Sequence, residues 1–256
     1  MIRVIAGALV AGLLTVSCTS APTQPTVGGA GTIDQFTLAV DILASVPYTF
    51  AVTQTSNAAV TLASVVDSQG QISKTPLSFA VGSESTDGLT CTPLTTVTTA
   101  ASLKPQINTT LNPGSYCVLV SDPGTLTDSV TVVGRVILNG PIPVTASGSA
   151  KTETFASNIP AGGSASRTFY VTEPGIVSVT LQSLSPPSSA VLGVGIPGLD
   201  NTGCNLNTSV KATASSTPQI TVPVDIASFC VRLYDDGSLI TGPNGLASFT
   251  IQIVHP

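Results

Sequence analysis

Five cysteines stand at positions 18, 91, 117, 204 and 230, and their spacing is the strongest chemical signal in the chain. Cys91 and Cys117 are 26 residues apart, and so are Cys204 and Cys230. A metal site would call for close Cys-x-x-Cys pairs or several histidines. Neither occurs, and the one histidine is His255, the penultimate residue, where chains are usually mobile. Asp235-Asp236-Gly237 is the best start for a calcium loop, because calcium takes several carboxylate and carbonyl oxygens. The matching Asp122-Pro123-Gly124 has one carboxylate fewer, and no Asp-x-Asp-x-Asp spacing follows either. Both read as β-turns in which Asp caps the backbone, so no metal or cofactor is expected.

Nucleophilic catalysis needs Ser or Cys beside a base. Lys74, Lys104, Lys151 and Lys211 show no Ser-x-x-Lys spacing around them, and His255 is the only imidazole. The chain therefore reads as a non-enzyme. For ligand binding the best exposed pair is Arg232 with Tyr234, two apart on one strand face. Aromatic platforms are few: no Trp, four Tyr and seven Phe, most at strand positions that suit a core. Asn108-Thr109-Thr110 and Asn207-Thr208-Ser209 match the glycosylation sequon, which a bacterial chain would leave unused.

Those residues must be positioned by strands. Charged residues make up only 8% of the 256, against a usual quarter, while Ser, Thr, Gly, Pro, Ala and Val dominate. That mixture disfavours helices and favours strands and turns. The net charge is −5, and no Lys/Arg cluster exists, which excludes nucleic acid as an expected partner. "TFAVTQTSNAAVTL" at 49–62 aligns without gaps to "TFYVTEPGIVSVTL" at 168–181, an offset of 119 residues (49 to 168). At the cysteines the offset is 113 (91 to 204, 117 to 230), so the second copy is shorter by a loop. Val177, Val179 and Leu181 alternate with polar residues, as do Phe249, Ile251 and Ile253. The expectation is an all-β chain of two tandem β-sandwich domains, jelly-roll or immunoglobulin-like, over 35–140 and 148–256. Cys230 shares a strand face with Arg232 and Tyr234, which places its bridge on an outer face or a sheet edge rather than in a core.

The first seventeen residues, one Arg followed by an apolar run from Val4 to Val16, read as a signal peptide too short to span a bilayer. Leu14-Thr15-Val16-Ser17-Cys18 resembles the lipobox of bacterial lipoproteins, with Thr15 where Leu is commonest. The resemblance implies cleavage before Cys18 and its acylation, anchoring the chain to a membrane. Thr19 lacks the Asp that retains such proteins on the inner membrane, which implies the outer membrane where one is present. Residues 18–34, rich in Pro, Gly and Thr, read as a flexible tether. With Cys18 set aside as lipid carrier, the exported chain is left with two cysteines per copy, and disulfides Cys91–Cys117 and Cys204–Cys230 follow.

"GSYCVLVSDPG" from Gly114 and "ASFCVRLYDDG" from Ala227 resemble the late strand and turn of bacterial pre-peptidase C-terminal (PPC-like) domains. Gly114, Tyr116, Val118, Val120, Asp122 and Gly124 fit that pattern; Phe229, Val231, Leu233, Asp235 and Gly237 fit it again, with Ala227 in place of the glycine. The resemblance covers about a dozen residues per copy and implies an accessory surface module. The function expected is a membrane-anchored extracytoplasmic lipoprotein with a structural, adhesive or protein-interaction role, its partner another envelope protein. The alternative is a carbohydrate or small-ligand binding module of the envelope.

Overall fold

A computed structural model describes residues 32–85, 90–139, 150–198 and 203–256. The sequence's signal peptide, Cys18 and most of its tether lie outside the described residues. Among the described residues there are sixteen strands and no helix. The first copy holds β1 (Thr32–Val40), β2 (Ser45–Val52), β3 (Ser56–Asp67), β4 (Leu77–Glu84), β5 (Cys91–Thr99), β6 (Ile107–Leu111), β7 (Gly114–Ser121) and β8 (Val130–Asn139). The second holds β9 (Lys151–Pro160), β10 (Ser164–Val171), β11 (Gly175–Ser185), β12 (Ala190–Pro197), β13 (Cys204–Ala212), β14 (Ile220–Val224), β15 (Ala227–Tyr234) and β16 (Leu246–His255). β1 opens at Thr32, inside the stretch read as tether, because its first residues pair with the end of β8 from Leu138.

Each copy makes two four-stranded antiparallel sheets. Their orders are β1-β8-β3-β6 and β2-β7-β4-β5, then β9-β16-β11-β14 and β10-β15-β12-β13. Within a copy the first strand pairs with the eighth, the second with the seventh, the third with the sixth and the fourth with the fifth. That is one long hairpin rolled into a sandwich, the jelly-roll topology, and it settles the choice against an immunoglobulin-like fold. Alternation does the work locally. In β11 Val177, Val179 and Leu181 are wholly buried while Ile176 points out. The two inner faces pack Phe79, Leu62, Val118 and Val132 in the first copy and Phe229, Leu181, Leu192 and Ile251 in the second.

The copies repeat details below the level of topology. Both third strands carry a bulge, at Leu62/Ser64 and Leu181/Ser183. Gln106 and Gln219 accept the N–H of Leu62 and Leu181, each at 2.8 Å, in place of a missing strand neighbour. The change of offset falls between the third and fourth strands. Residues 68–76 join β3 to β4, whereas 186–189 join β11 to β12.

Both expected disulfides are present, each with Cα atoms 5.8 Å apart, on the outer face of the sheet. They join β5 to β7 and β13 to β15, strands that lie on opposite sides of a third. Strands two apart in a flat sheet are separated by roughly 9.5 Å, beyond disulfide reach. The edge strand closes that gap by leaning over its neighbour at a register shift, Val81/Gly82 in one copy and Val194/Gly195 in the other. Glycine is required where the strands cross. A Cβ on Gly82 would lie 2.3 Å from the Thr92 carbonyl oxygen, and one on Gly195 would lie 1.9 Å from that of Asn205.

Gly82→Ala and Gly195→Ala are therefore expected to destabilise the fold by about 1–3 kcal/mol or more through overpacking. They should also leave the bridge of their own copy partly open. Thermal unfolding with thiol labelling before reduction checks both; an Ala variant of wild-type stability with no labelled thiol contradicts the crossing.

Candidate functional site

Asp122 and Asp235, the carboxylates weighed for calcium, are latches. Asp122 accepts the N–H groups of Gly124, Thr125 and Leu126 with Oδ1, at 2.9, 2.8 and 3.1 Å. Its Oδ2 accepts Leu43 N–H at 2.9 Å, from the turn between β1 and β2. Asp235 repeats this with Gly237 and Leu239 on Oδ1 and Gly162 on Oδ2. Each carboxylate closes its own turn and ties it to a turn about 75 residues earlier. Burial opposes the charge on Asp122, and the four N–H donors outweigh it, so its carboxyl sits below the usual range. Asp235 is lowered chiefly by the Gly162 and Leu239 N–H groups. Gly162 has φ of 69°, and Leu43 takes the same left-handed conformation at 59°, held there by the latch. Asp236 turns outward to Ser238 and to Lys211 at 3.0 Å. Among the described residues no three His, Cys, Asp or Glu gather to hold a metal.

Arg232 and Tyr234 do meet on the outer face of β15, the guanidinium 5.3 Å from the ring centre. Arg232 also donates to Ser164 Oγ at 3.2 Å. The two groups are half-buried and engaged with each other on the sheet face. His255 departs from the mobile end expected of it. It closes β16, is 1% exposed, and sits 3.3 Å from Glu153, which also pairs with Lys151 at 2.6 Å.

The feature the sequence reading missed lies between the copies. The disulfide-bearing end of the second sandwich abuts the outer face of the β1-β8-β3-β6 sheet. Ala63, Leu103, Val133 and Ile137 of the first copy join the second copy's apolar core, with Ile33 and Ala59 packed alongside. Around them, side chains reach across to backbone. Asn207 Nδ2 donates to Ala63 O at 2.8 Å, Ser64 Oγ to Leu206 O at 2.7 Å, and Gln35 Nε2 to Pro197 O at 2.9 Å. Lys74, from the longer 68–76 connection, donates to Asn207 O at 2.7 Å. The extra residues of the first copy thus serve the junction. The sequon at Asn207 is spent on it, since that amide is buried.

Arg135 is the centre of this junction. It projects from β8, is 3% exposed, and donates Nη1 to Ser228 O at 3.0 Å. Its guanidinium lies 4.7 Å from the centre of the Phe229 ring. Burial pulls its pKa down to about 10, with Asp225 working the other way, so it stays charged at neutral pH. Among the described residues Nε and Nη2, and Thr61 Oγ1 on the neighbouring strand, have no partner.

Beside the junction a crevice of about 440 Å³ opens between the β3–β6 edge and the loop joining β14 to β15. Asn57, Ala59, Asn108 and Thr110 form one wall and Asp225 stands on the other. Thr110 Oγ1 donates to Asn57 Oδ1 at 2.9 Å, and Asp225 Oδ1 accepts Ile226 N–H at 2.8 Å. Asn108, the other sequon asparagine, is exposed in this wall.

No family model matches the chain, and no curated protein matches it in sequence. Among solved structures, the PBSX exported protein XepA is similar over 91% of this chain and 89% of its own, at 15% identity and a TM-score of 0.30. A Paenibacillus xanthan lyase is similar over 88% of this chain, at 11% identity and a TM-score of 0.27; this chain spans 25% of the lyase's length. Peptide:N-glycanase F is similar over 86% of this chain and 95% of its own, at 10% identity and a TM-score of 0.24. Nothing about activity is drawn from likenesses this distant.

Two outcomes are expected. Removing the Arg135 side chain deletes its hydrogen bond to Ser228 O and leaves a void over Phe229, so Arg135→Ala should cost about 2–4 kcal/mol. It should also split a single unfolding transition into two in calorimetry. Gln252→Ala, at the equivalent position of the second copy, should stay within about 0.5 kcal/mol. The latches add acid sensitivity. Their folded pKa values lie below the unfolded value near 3.9, so their stabilisation is complete above that pH and is lost as pH falls through the folded pKa. Asp122→Asn with Asp235→Asn should lower Tm at pH 7 and flatten its fall below about pH 4.

Proposed function

We propose that the protein is a lipid-anchored module of the bacterial cell envelope whose role is structural or adhesive, presenting rigid sandwich faces to another envelope protein. The observation that carries this reading is the state of the cysteines. The four within the sandwiches are paired in two disulfides, which places the chain in an oxidising, extracytoplasmic compartment. Cys18 is the one left over, at the position the lipobox resemblance assigns to acylation. Among the described residues no helix is long and apolar enough to cross a membrane. Attachment through Cys18 with more than one acyl chain supplies what a single chain cannot, since one gives only marginal binding. The tether joins the first sandwich at Thr32, the end that carries Cys91–Cys117. The junction supports a structural role, because two sandwiches fused through a shared core form a stiff spacer rather than beads on a string.

Intact mass of the protein from host membranes checks the anchor. The expected mass begins at Cys18 and carries acyl chains, with no thiol labelled before reduction and four after. Cys18→Ser should move the protein out of the membrane fraction. A Cys18→Ser variant that fractionates with membranes as wild type does, or a Cys18 thiol that labels in the native protein, overturns it.

A further inference from the structure

We propose that the crevice between the two sandwiches binds a small, neutral, hydroxyl-rich ligand of mono- or disaccharide type, held by Asn57, Asn108, Thr110 and Asp225. The inference is independent of how the chain is anchored. A junction between domains is where ligand sites most often form, and 440 Å³ falls within the roughly 300–1,000 Å³ of ordinary small-molecule pockets.

The ligand's chemistry follows from the walls. Among the described residues nothing takes the Nδ2 donors of Asn57, while its Oδ1 accepts from Thr110. Asn108 adds an amide with both donors and acceptor, and Thr110 Oγ1 retains lone pairs. Asp225 lines the crevice from the second sandwich, and with Oδ1 engaged by its neighbour's N–H its carboxylate keeps further lone pairs as a charged acceptor. Donors and acceptors thus alternate around one space, which suits hydroxyl groups, since each hydroxyl both donates and accepts.

Charge narrows the choice. The buried Arg135 and Asp225 attract each other, so the charge of the one carboxylate in the wall is offset. A cationic ligand would compete with that buried guanidinium for the one carboxylate, and an anionic ligand would meet Asp225 directly. A metal ion lacks its ligand set here, since Asp225 is the only carboxylate among the described residues of the wall. No aromatic ring is among the described residues that line the crevice, so stacking contributes nothing and a single sugar should bind weakly, with Kd on the order of 1 mM. The site also depends on the docked arrangement. Asn57 and Asn108 belong to the first sandwich and Asp225 to the second, so ligand binding should stabilise the junction as well.

The test is a titration of the ¹⁵N-labelled full-length protein in detergent with glucose, galactose, N-acetylglucosamine, maltose and cellobiose, followed by amide shifts. Glucuronate, glucosamine and calcium are run beside them. At least one neutral sugar is expected to shift the amides of Asn57, Asn108 and Asp225 in a saturable way. Asn108→Ala changes an exposed residue and should keep the fold; it should weaken binding about tenfold, the loss of one or two hydrogen bonds. Arg232→Ala, on the far outer face, should leave binding unchanged. Three results overturn the proposal: no neutral sugar moves these amides, the shifts map to the Arg232–Tyr234 face, or glucuronate, glucosamine or calcium binds the crevice while the neutral sugars do not.

Discussion

Two strands of a sheet cannot be joined by a disulfide across a third unless the middle strand offers no side chain at the crossing. Gly82 and Gly195 meet that condition, and the bridges Cys91–Cys117 and Cys204–Cys230 depend on them. The consequence reaches past the bridge. Leaning β13 over Gly195 carries Leu206 and Asn207 forward, and it is their backbone and amide that meet Ser64 and Ala63 of the first sandwich. Cys230 follows directly on Ser228 and Phe229, the two residues that receive Arg135. The docking end of the second sandwich is therefore shaped by its own disulfide, and the crevice beside Asp225 is shaped by that docking.

Much of this was legible in the chain. The alternation in β11 and β16, the turn residues and the two offsets describe a duplicated sandwich, and the cysteine spacing describes its bridges. The offset of 113 runs also through Gly82 and Gly195, and through Gln106 and Gln219, so the glycine crossings were written there as well. Jelly-roll order was not legible, because alternation reports that a strand has an inner face and is silent on which strand lies beside it. The junction left a fainter mark. "VVGRVIL" in β8 is apolar on both faces, where "FTIQIV" in β16 alternates, and strands buried on both sides read in that way. Arg135 interrupts the run, and an arginine in a strand ordinarily reads as solvent-facing. The crevice was out of reach: Asn57 and Asn108 are more than a hundred residues from Asp225, and all three are residue types common in turns.

The latch shows how the two copies diverged under one constraint. The carboxylate needs an N–H presented by a residue in left-handed conformation. The second copy supplies Gly162, which adopts it freely, while the first uses Leu43, 75% exposed. Holding leucine there costs on the order of 1 kcal/mol, which the Asp122 latch offsets. The result is an exposed Ile42-Leu43 tip at the end of the first sandwich opposite its disulfide.

The same divergence removes the receiving face from the second copy. One sandwich docks end-on against the face of the other, a heterologous contact, and such contacts propagate into rows whenever the receiving face recurs. Here it does not recur. Where the first copy presents Ile33, Ala59, Ala63, Val133 and Ile137, the second places Thr152, Ser178, Gln182, Thr250 and Val254 at the equivalent registers. Where the first has Arg135, the second has Gln252. Four of the five apolar positions have become hydroxyl or amide groups that water satisfies, so another sandwich end would gain little by burying them. The second copy thus presents a polar face where the first presents an apolar one. Docking between these two sandwiches therefore runs one way: the face of the first receives and the end of the second inserts.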